Sequence, residues 1–418
     1  MEQPISFIMP SRNNLKYFEW SYESIRRNLG YDHEICFADD NSTDGTWNAV
    51  TKMAETDPNL KIIRNDNGFR VGHTILYDKL INEVATNDIV MIFHCDMYAT
   101  KDLVSNMLKY LKKGTIVSAT RVEPPLHPSG VEKIIQDFGV EPESFNQSGF
   151  ETWYDQNLVT LNNIYTHGIF APFMFYKDDF ISIGGHDALF CPQSKEDSDL
   201  FNRMKLKGYS FIQSWDAIVY HLTSRGSRFN PTITSVGTNS SEWSIQNLRS
   251  HKNFIRKWGT TVQHDEYMLP IIVPKHKLTF VVTGLHDIKL LDVIEPYADV
   301  LYTDAPKSLI EQYVSSERSL YDIKGKFKSI SDYGNSNKVG THVTFNVSRL
   351  NSDDFKYLTN MCQIITNTVN DDTELGEFEV GNLDVYVYDT HTYEHKLVYN
   401  TNQYILHQHI NYNLPMSL

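Results

Sequence analysis

The chain has 418 residues, 41% of them apolar and 22% charged, with a formal net charge of −14. That length is more than one ordinary hydrophobic core accommodates, and the composition is that of a folded chain. The acidic balance argues against a nucleic-acid binder, whose footprint would be a basic face, but leaves room for a local cationic pocket around one phosphorylated ligand.

Cys36, Cys95, Cys191 and Cys362 form no CxxC pair and read as reduced thiols of a cytoplasmic protein. The start Met-Glu-Gln-Pro lacks the basic segment of a signal peptide, and no run approaches transmembrane length, so a soluble protein is expected. The 24 Tyr and 22 Phe are compatible with sugar stacking, though an ordinary aromatic core is the simpler account.

Residues 5–9 read as a first strand stopped by Pro10, with Ser11-Arg12-Asn13-Asn14 as a polar turn. Tyr17, Trp20, Tyr22 and Ile25 predict a helix reaching Leu29-Gly30. Residues 33–38 predict a second strand that ends in Asp39-Asp40-Asn41-Ser42-Thr43-Asp44-Gly45-Thr46, with a helix over 46–54. A third strand over 60–64, a loop and a helix to about Ala85 follow. The fourth strand is the apolar run Ile89 to Phe93, which stops abruptly at His94, Cys95 and Asp96. Such a run suits a strand buried on both faces of a parallel sheet, and ligands bind beyond the carboxyl ends of such strands. Imidazole and carboxylate are both metal ligands. The alternative is that Asp96 caps a helix predicted over 102–112. Strands alternating with helices indicate an α/β fold with a largely parallel sheet. Neither GxxxxGK[ST] nor GxGxxG is present, so a bound nucleotide would rest on polar strand ends and carboxylates.

Beyond Thr115 the pattern predicts a strand over 116–119, a polar excursion over 123–155 and a strand over 169–176. Ile183-Gly-Gly-His-Asp187 is a loop, and residues 194–207 a helix with Ser194 as its N-cap and Gly208 as its stop. Short strands over 211–212 and 217–220 lead to His221, a loop rich in Ser, Thr, Gly and Asn, and a helix over 242–258. A domain boundary is placed at residue 270, giving domains 1–270 and 271–418. The second is a smaller α/β domain with strands over 278–283, 300–303, 341–347, 362–366 and 383–388 and a helix over 287–295. It carries no catalytic constellation.

Four motifs stand in order: Ala38-Asp-Asp-Asn-Ser-Thr-Asp-Gly-Thr46; the acid ending the fourth strand; Gly184-Gly185-His186-Asp187; and Glu196-Asp197-Ser198-Asp199-Leu200. Together they resemble the nucleotide-diphospho-sugar glycosyltransferases of family 2, with the GT-A fold, over residues 4–225. The resemblance implies a sugar donor bound at Pro10, Ser11, Arg12 and Asp40, UDP-linked by family frequency; Arg70 lies in a loop, residues 67–73, that departs from the usual family segment and could contact the donor there. It implies that Asp96 is the last acid of a DxD-type motif and holds a divalent ion, Mn2+ or Mg2+, with His221 completing the metal shell. Arg225 and Arg228 would close over the diphosphate. Asp197 matches the catalytic base of inverting members, with Glu196 before it; Gly185 and Trp153 fall on the acceptor side. The chain departs from the motif by carrying His94 and Cys95 where a DxD has its first acid and middle residue. His94 could be a ligand, a ribose contact or a packing residue.

The bland readings are a macrodipole acid for Asp197, a satisfied strand-end histidine for His221, a solvated arginine for Arg70 and a packing residue for Trp153. The expected activity is transfer of a hexosyl group to a hydroxyl of a glycan or other acceptor. One base without a second carboxylate nucleophile fits single displacement with inversion. The rivals are a retaining transferase of the same fold and a carbohydrate-binding scaffold without turnover. No nucleic-acid partner is expected, and the second domain could serve a homo-oligomer.

Overall fold

A computed structural model describes residues 3–223, 225, 240–317, 319, 321–369 and 375–390. The described residues group into two compact units, one of 3–246 and 264–270, the other of 247–263 and 271–390.

The first unit begins with β1 (Ser6–Ser11), α1 (Leu15–Leu29), β2 (Glu34–Asp39), α2 (Thr46–Thr56), β3 (Leu60–Arg64), α3 (His73–Lys79) and β4 (Ile89–Ile92). Every residue of β2 and β4 is buried, as the apolar run of β4 and the apolar residues 35–38 inside β2 require of strands covered on both faces. After β4 come β5 (Met97–Ala99), α4 (Leu103–Leu108), β6 (Thr115–Glu123), β7 (Lys133–Ile135), α5 (Gln147–Leu161), β8 (Tyr165–Thr166) and β9 (Phe173–Tyr176). The unit continues with α6 (Lys177–Ser182), α7 (Glu196–Leu206), β10 (Ser210–His221) and the start of α8 (Ser241–Trp258). The sheet order is β3-β2-β1-β4-β9-β6-β10-β5, with β7 beside β6 and β8 beside β10. Strands β1 to β4 run parallel, β6 is parallel to β10, and β9 lies antiparallel between β4 and β6. This is an α/β unit built on a mostly parallel sheet.

Several expectations are corrected here. Pro10 does not stop β1, which stays in register with β2 through Ser11↔Asp39. Pairing of β1 with β4 ends at Ile8, so the N–H that Pro10 lacks falls on the side with no ladder to complete. The excursion over 123–155 holds β7 and most of α5. The two short strands before His221 are one strand, β10, interrupted by an irregularity between Ser214 and Ile218. Asp96 is not a helix cap: β5 lies between it and α4. No helix among the described residues is long and apolar enough to cross a membrane.

The second unit carries β11 (Leu278–Thr283), α9 (Ile288–Ile294), β12 (Val300–Thr303), α10 (Lys307–Glu317), β13 (Phe327–Ser329) and β14 (Thr341–Asn346). Then come α11 (Ser352–Thr359), α12 (Met361–Thr368), β15 (Glu377–Val380) and β16 (Leu383–Val387). Its sheet order is β13-β12-β11-β14-β16-β15. Residues 362–366, expected as a strand, are helical in α12, where Met361, Cys362 and Ile365 bury one helical face. Within this unit Glu295 is fully buried. It takes an ion pair from Arg256 at 2.6 Å and hydrogen bonds from Lys326 at 2.5 Å and the Tyr313 hydroxyl at 2.8 Å. Removing one partner of a buried ion network leaves the others uncompensated. Glu295→Ala should therefore cost roughly 3–5 kcal/mol of stability, read as a lower denaturation midpoint.

Candidate functional site

Strand β4 ends at the mouth of a cavity of about 350 Å³. The other strand and helix ends that reach it are those of β1, β2, β10, α3, α7 and the start of α8.

The first cluster in it is made by backbone pairing. Strand β5 runs antiparallel to β10 with His221 opposite Met97. Leu222 N–H then donates to Asp96 O, and Arg225 N–H to Asp96 Oδ2 at 3.0 Å. That register sets His221 Nε2 3.5 Å from Asp96 Oδ2. His94, two residues before Asp96, brings its ring to 6.4 Å from the His221 ring. One ligand atom each from His94, Asp96 and His221 lie within 4.8 Å of one another. Two imidazoles and a carboxylate are a donor set able to hold a divalent ion. Behind them Glu123, at the end of β6, holds His221 Nδ1 at 2.8 Å and is itself paired with Arg121 and Lys133. A carboxylate behind a histidine fixes its ring and aims the other nitrogen forward.

Burial pushes the His94 imidazole down to about 4, so it stays neutral at physiological pH. Burial also opposes the charged form of His221, but Asp96 and Glu123 outweigh it and raise this group to about 9. Asp96 is raised by burial and lowered more by His221, His94 and the Arg225 N–H, so it stays ionised.

The second cluster opens α7. Ser194 is not its N-cap: the helix begins at Glu196, after Ser194 and Lys195 with φ of +81° and +70°. Two successive left-handed residues that are not glycine store strain of the kind found at functional sites. Glu196 Oε1 lies 2.7 Å from His73 Nε2, at the start of α3. Burial raises Glu196, but His73 outweighs it and the group is held below the usual range. Asp197 is pushed up to about 6, by burial first and then by the Glu196 charge beside it. This is one carboxylate pair split by environment, with Asp197 the member whose proton is labile near neutrality.

The loop after β3 forms a further wall. Asp40 accepts from Asn65 Nδ2 at 2.8 Å, Val71 N–H at 2.9 Å and Gly72 N–H at 2.8 Å, fixing the loop against β2. Gly72 has φ of +93°, and a Cβ there would meet the Pro192 backbone at 2.2 Å. Arg70 lies 3.7 Å from Asp40, 3.3 Å from Glu242 and 2.5 Å from Gln193 Oε1.

Of the residues singled out from sequence, Pro10, Ser11, Arg12, Asp40, Arg70, Asp96, Glu196, Asp197, His221 and Arg225 all line this one cavity. The Arg225 guanidinium points elsewhere, to Val140 O at 2.7 Å and Glu141 at 3.2 Å. Gly185 is not in the lining; its carbonyl accepts from Arg203 of α7 at 2.6 Å. Trp153 is also outside, on α5, stacked at 6.1 Å against Phe150. The Gly184-Gly185-His186-Asp187 loop braces α3, with His186 buried and 2.7 Å from Asp78. Arg228 lies outside the described residues. Sequence reasoning did not find Glu123 or His73, nor Tyr77 and Gln193, which also line the cavity. Glu123 ends a strand that the sequence reading stopped at residue 119, so its place level with His221 shows only in the register of β6 with β10.

Residues 6–181 match the family described as Glycosyl transferase family 2. Among solved structures the chain is similar to the mannosyltransferase PcManGT from Pyrobaculum calidifontis, solved in complex with GDP-Man and Mn2+. Identity is 19% and the TM-score 0.40, over 62% of this chain and 64% of that one, so less than two thirds of the relative is spanned. A search of curated proteins returned no match.

Proposed function

We propose that the first unit transfers a hexosyl group from a nucleoside-diphosphate sugar to an acceptor hydroxyl, with a divalent ion and with inversion at the sugar carbon. The observation that carries this reading is a metal-type cluster at Asp96 and a separate carboxylate of raised proton affinity at Asp197, lining one cavity. The family of residues 6–181 supports it.

Asp96, His221 and His94 would hold the ion, which when bound would supply Lewis-acid neutralisation of charge on the leaving diphosphate. Ser11, Arg12 and the loop fixed by Asp40 border the donor, UDP-linked on family frequency, and orient it. Asp197 accepts the acceptor's proton as the hydroxyl attacks the anomeric carbon. Glu196, kept ionised by His73, keeps Asp197 basic enough for that step. The acceptor is a glycan or another hydroxyl compound entering beside α7.

Glu123→Gln should weaken metal affinity by roughly 10–100-fold while the fold survives, because the ring of His221 loses its charged anchor. Titration with Mn2+ measures this. The experiment for the function itself is a donor panel with and without Mn2+, scoring released nucleoside diphosphate and the product anomer by NMR. Inversion is expected. Retention would remove Asp197 from the role of base, and absence of both turnover and metal-dependent nucleotide binding would leave only a scaffold.

A further inference from the structure

We propose that the second unit binds an extended peptide of alternating apolar and acidic residues, added as a further strand along the outer edge of β13. The site is a cavity of about 600 Å³ lying wholly within that unit, in the size range of ligand pockets. It is separate from the cavity at the end of β4, which belongs to the first unit. One wall is a stripe of α10: Lys307, Ile310, Glu311, Val314 and Ser315, spaced as one helical face. The other wall is β13, whose three residues, Phe327, Lys328 and Ser329, all line the cavity. Successive side chains of a strand point to opposite faces of its sheet, so a cavity bordered by all three runs along the strand's edge.

Three observations choose the occupant. The first is the open edge. β13 ends its sheet and pairs only with β12 among the described residues, so its outer backbone groups can take a further strand. The second is the apolar wall. Phe327 is level with the buried Leu301 of β12, and its ring lies 6.3 Å from that of Tyr313 on α10, so it faces the helix. Ile310, Val314 and Ile330 line the cavity with it. Lys328 projects from the opposite face of the sheet. An added strand would turn every second side chain towards α10, where apolar groups are buried, and the others to the face of Lys328. The third is charge. Lys324 and Lys328 are exposed and make no ion pair among the described residues. Asp304 accepts from the Gly284 N–H at 2.9 Å, and Glu311 lies 3.8 Å from Lys307. The rim keeps a positive excess in a chain of net charge −14, and acids on an added strand gain attraction to Lys328 beside them. The same lysine disfavours a second copy, because two β13 strands paired at their centres would set one Lys328 against the other.

The test titrates fluorescein-labelled hexapeptides with the full chain and reads anisotropy. The probes are a peptide of alternating valine and glutamate, one of alternating valine and lysine, and a block peptide of valines followed by glutamates. The alternating acidic peptide should bind saturably, about fivefold or more tighter than either of the others. Lys328→Glu, at an exposed position, should keep the wild-type melting temperature and reverse the order of the acidic and basic peptides. Alternating acidic peptides N-methylated at every valine or at every glutamate should differ about tenfold in affinity, since only alternate N–H groups face the neighbouring strand. Absence of saturable binding, equal binding of the alternating and block acidic peptides, or an unchanged order in Lys328→Glu would overturn the proposal. A dimer in sedimentation that Val314→Asp dissociates would give the edge to a second copy and overturn it as well. None of these outcomes bears on glycosyl transfer by the first unit, which is read separately as released nucleoside diphosphate.

Discussion

Asp197→Asn is expected to lower the turnover number by roughly 10²–10⁴-fold with little change in donor affinity, since a general base acts only in the transition state. The wild-type pH profile should carry the same signature. With its carboxyl raised to about 6, Asp197 is a base above that pH and protonated below it. The acid limb of kcat/KM should therefore fall about tenfold per pH unit below the midpoint, and the variant should lack that limb. Stability should move the opposite way. The folded state binds the Asp197 proton more tightly than the unfolded chain does, whose aspartates titrate near 3.9. This group's contribution to stability is thus fully present below that value and is lost as pH rises through about 6. Asp197→Asn removes a carboxylate crowded by burial and by Glu196. It should raise the melting temperature at pH 7.5 by a few degrees and do less at pH 4, as calorimetry would show. A variant less stable at pH 7.5 would mean that Asp197 serves the fold, as a helix N-terminal acid does.

The second large effect is expected at Asp96. Asp96→Asn keeps an oxygen that can accept from the Arg225 N–H, so the turn before β5 should hold. What it loses is the charge and the anionic ligand. Lewis-acid stabilisation of a leaving diphosphate amounts to several kcal/mol, so turnover should fall on the order of 10³-fold. Stoichiometric Mn2+ binding should disappear with it. Retained turnover with lost metal binding would place diphosphate neutralisation on cationic side chains instead.

Much of this site was legible because it sits where chemistry and local sequence coincide. The run Ile89 to Phe93 marked a buried strand, and the polar residues at its end marked the mouth of a site. Asp40 and Asp197 were singled out by the resemblance, and the structure sets both against the one cavity. What was not legible depends on register. The resemblance alone set His221 beside Asp96; the pairing of the three-residue β5 with the end of β10 that brings them together has no readable period. Glu123 and His73 matter only through partners about a hundred residues away in sequence. Arg225 illustrates the converse. Its position in the motif order is as expected, yet its backbone N–H serves Asp96 while its guanidinium serves Val140 and Glu141. In the second unit, Cys362 to Thr366 carries β-branched residues that suit a strand, but burial at helical spacing decides for α12.

The most direct test is release of nucleoside diphosphate from UDP-sugars and other nucleotide sugars, measured in Mn2+ and in EDTA for the wild type and Asp96→Asn. The proposed reaction predicts Mn2+-dependent release by the wild type with at least one donor, absent in EDTA and in the variant. Equal release in Mn2+ and EDTA, or none with any donor together with no Mn2+-dependent nucleotide binding, would contradict it.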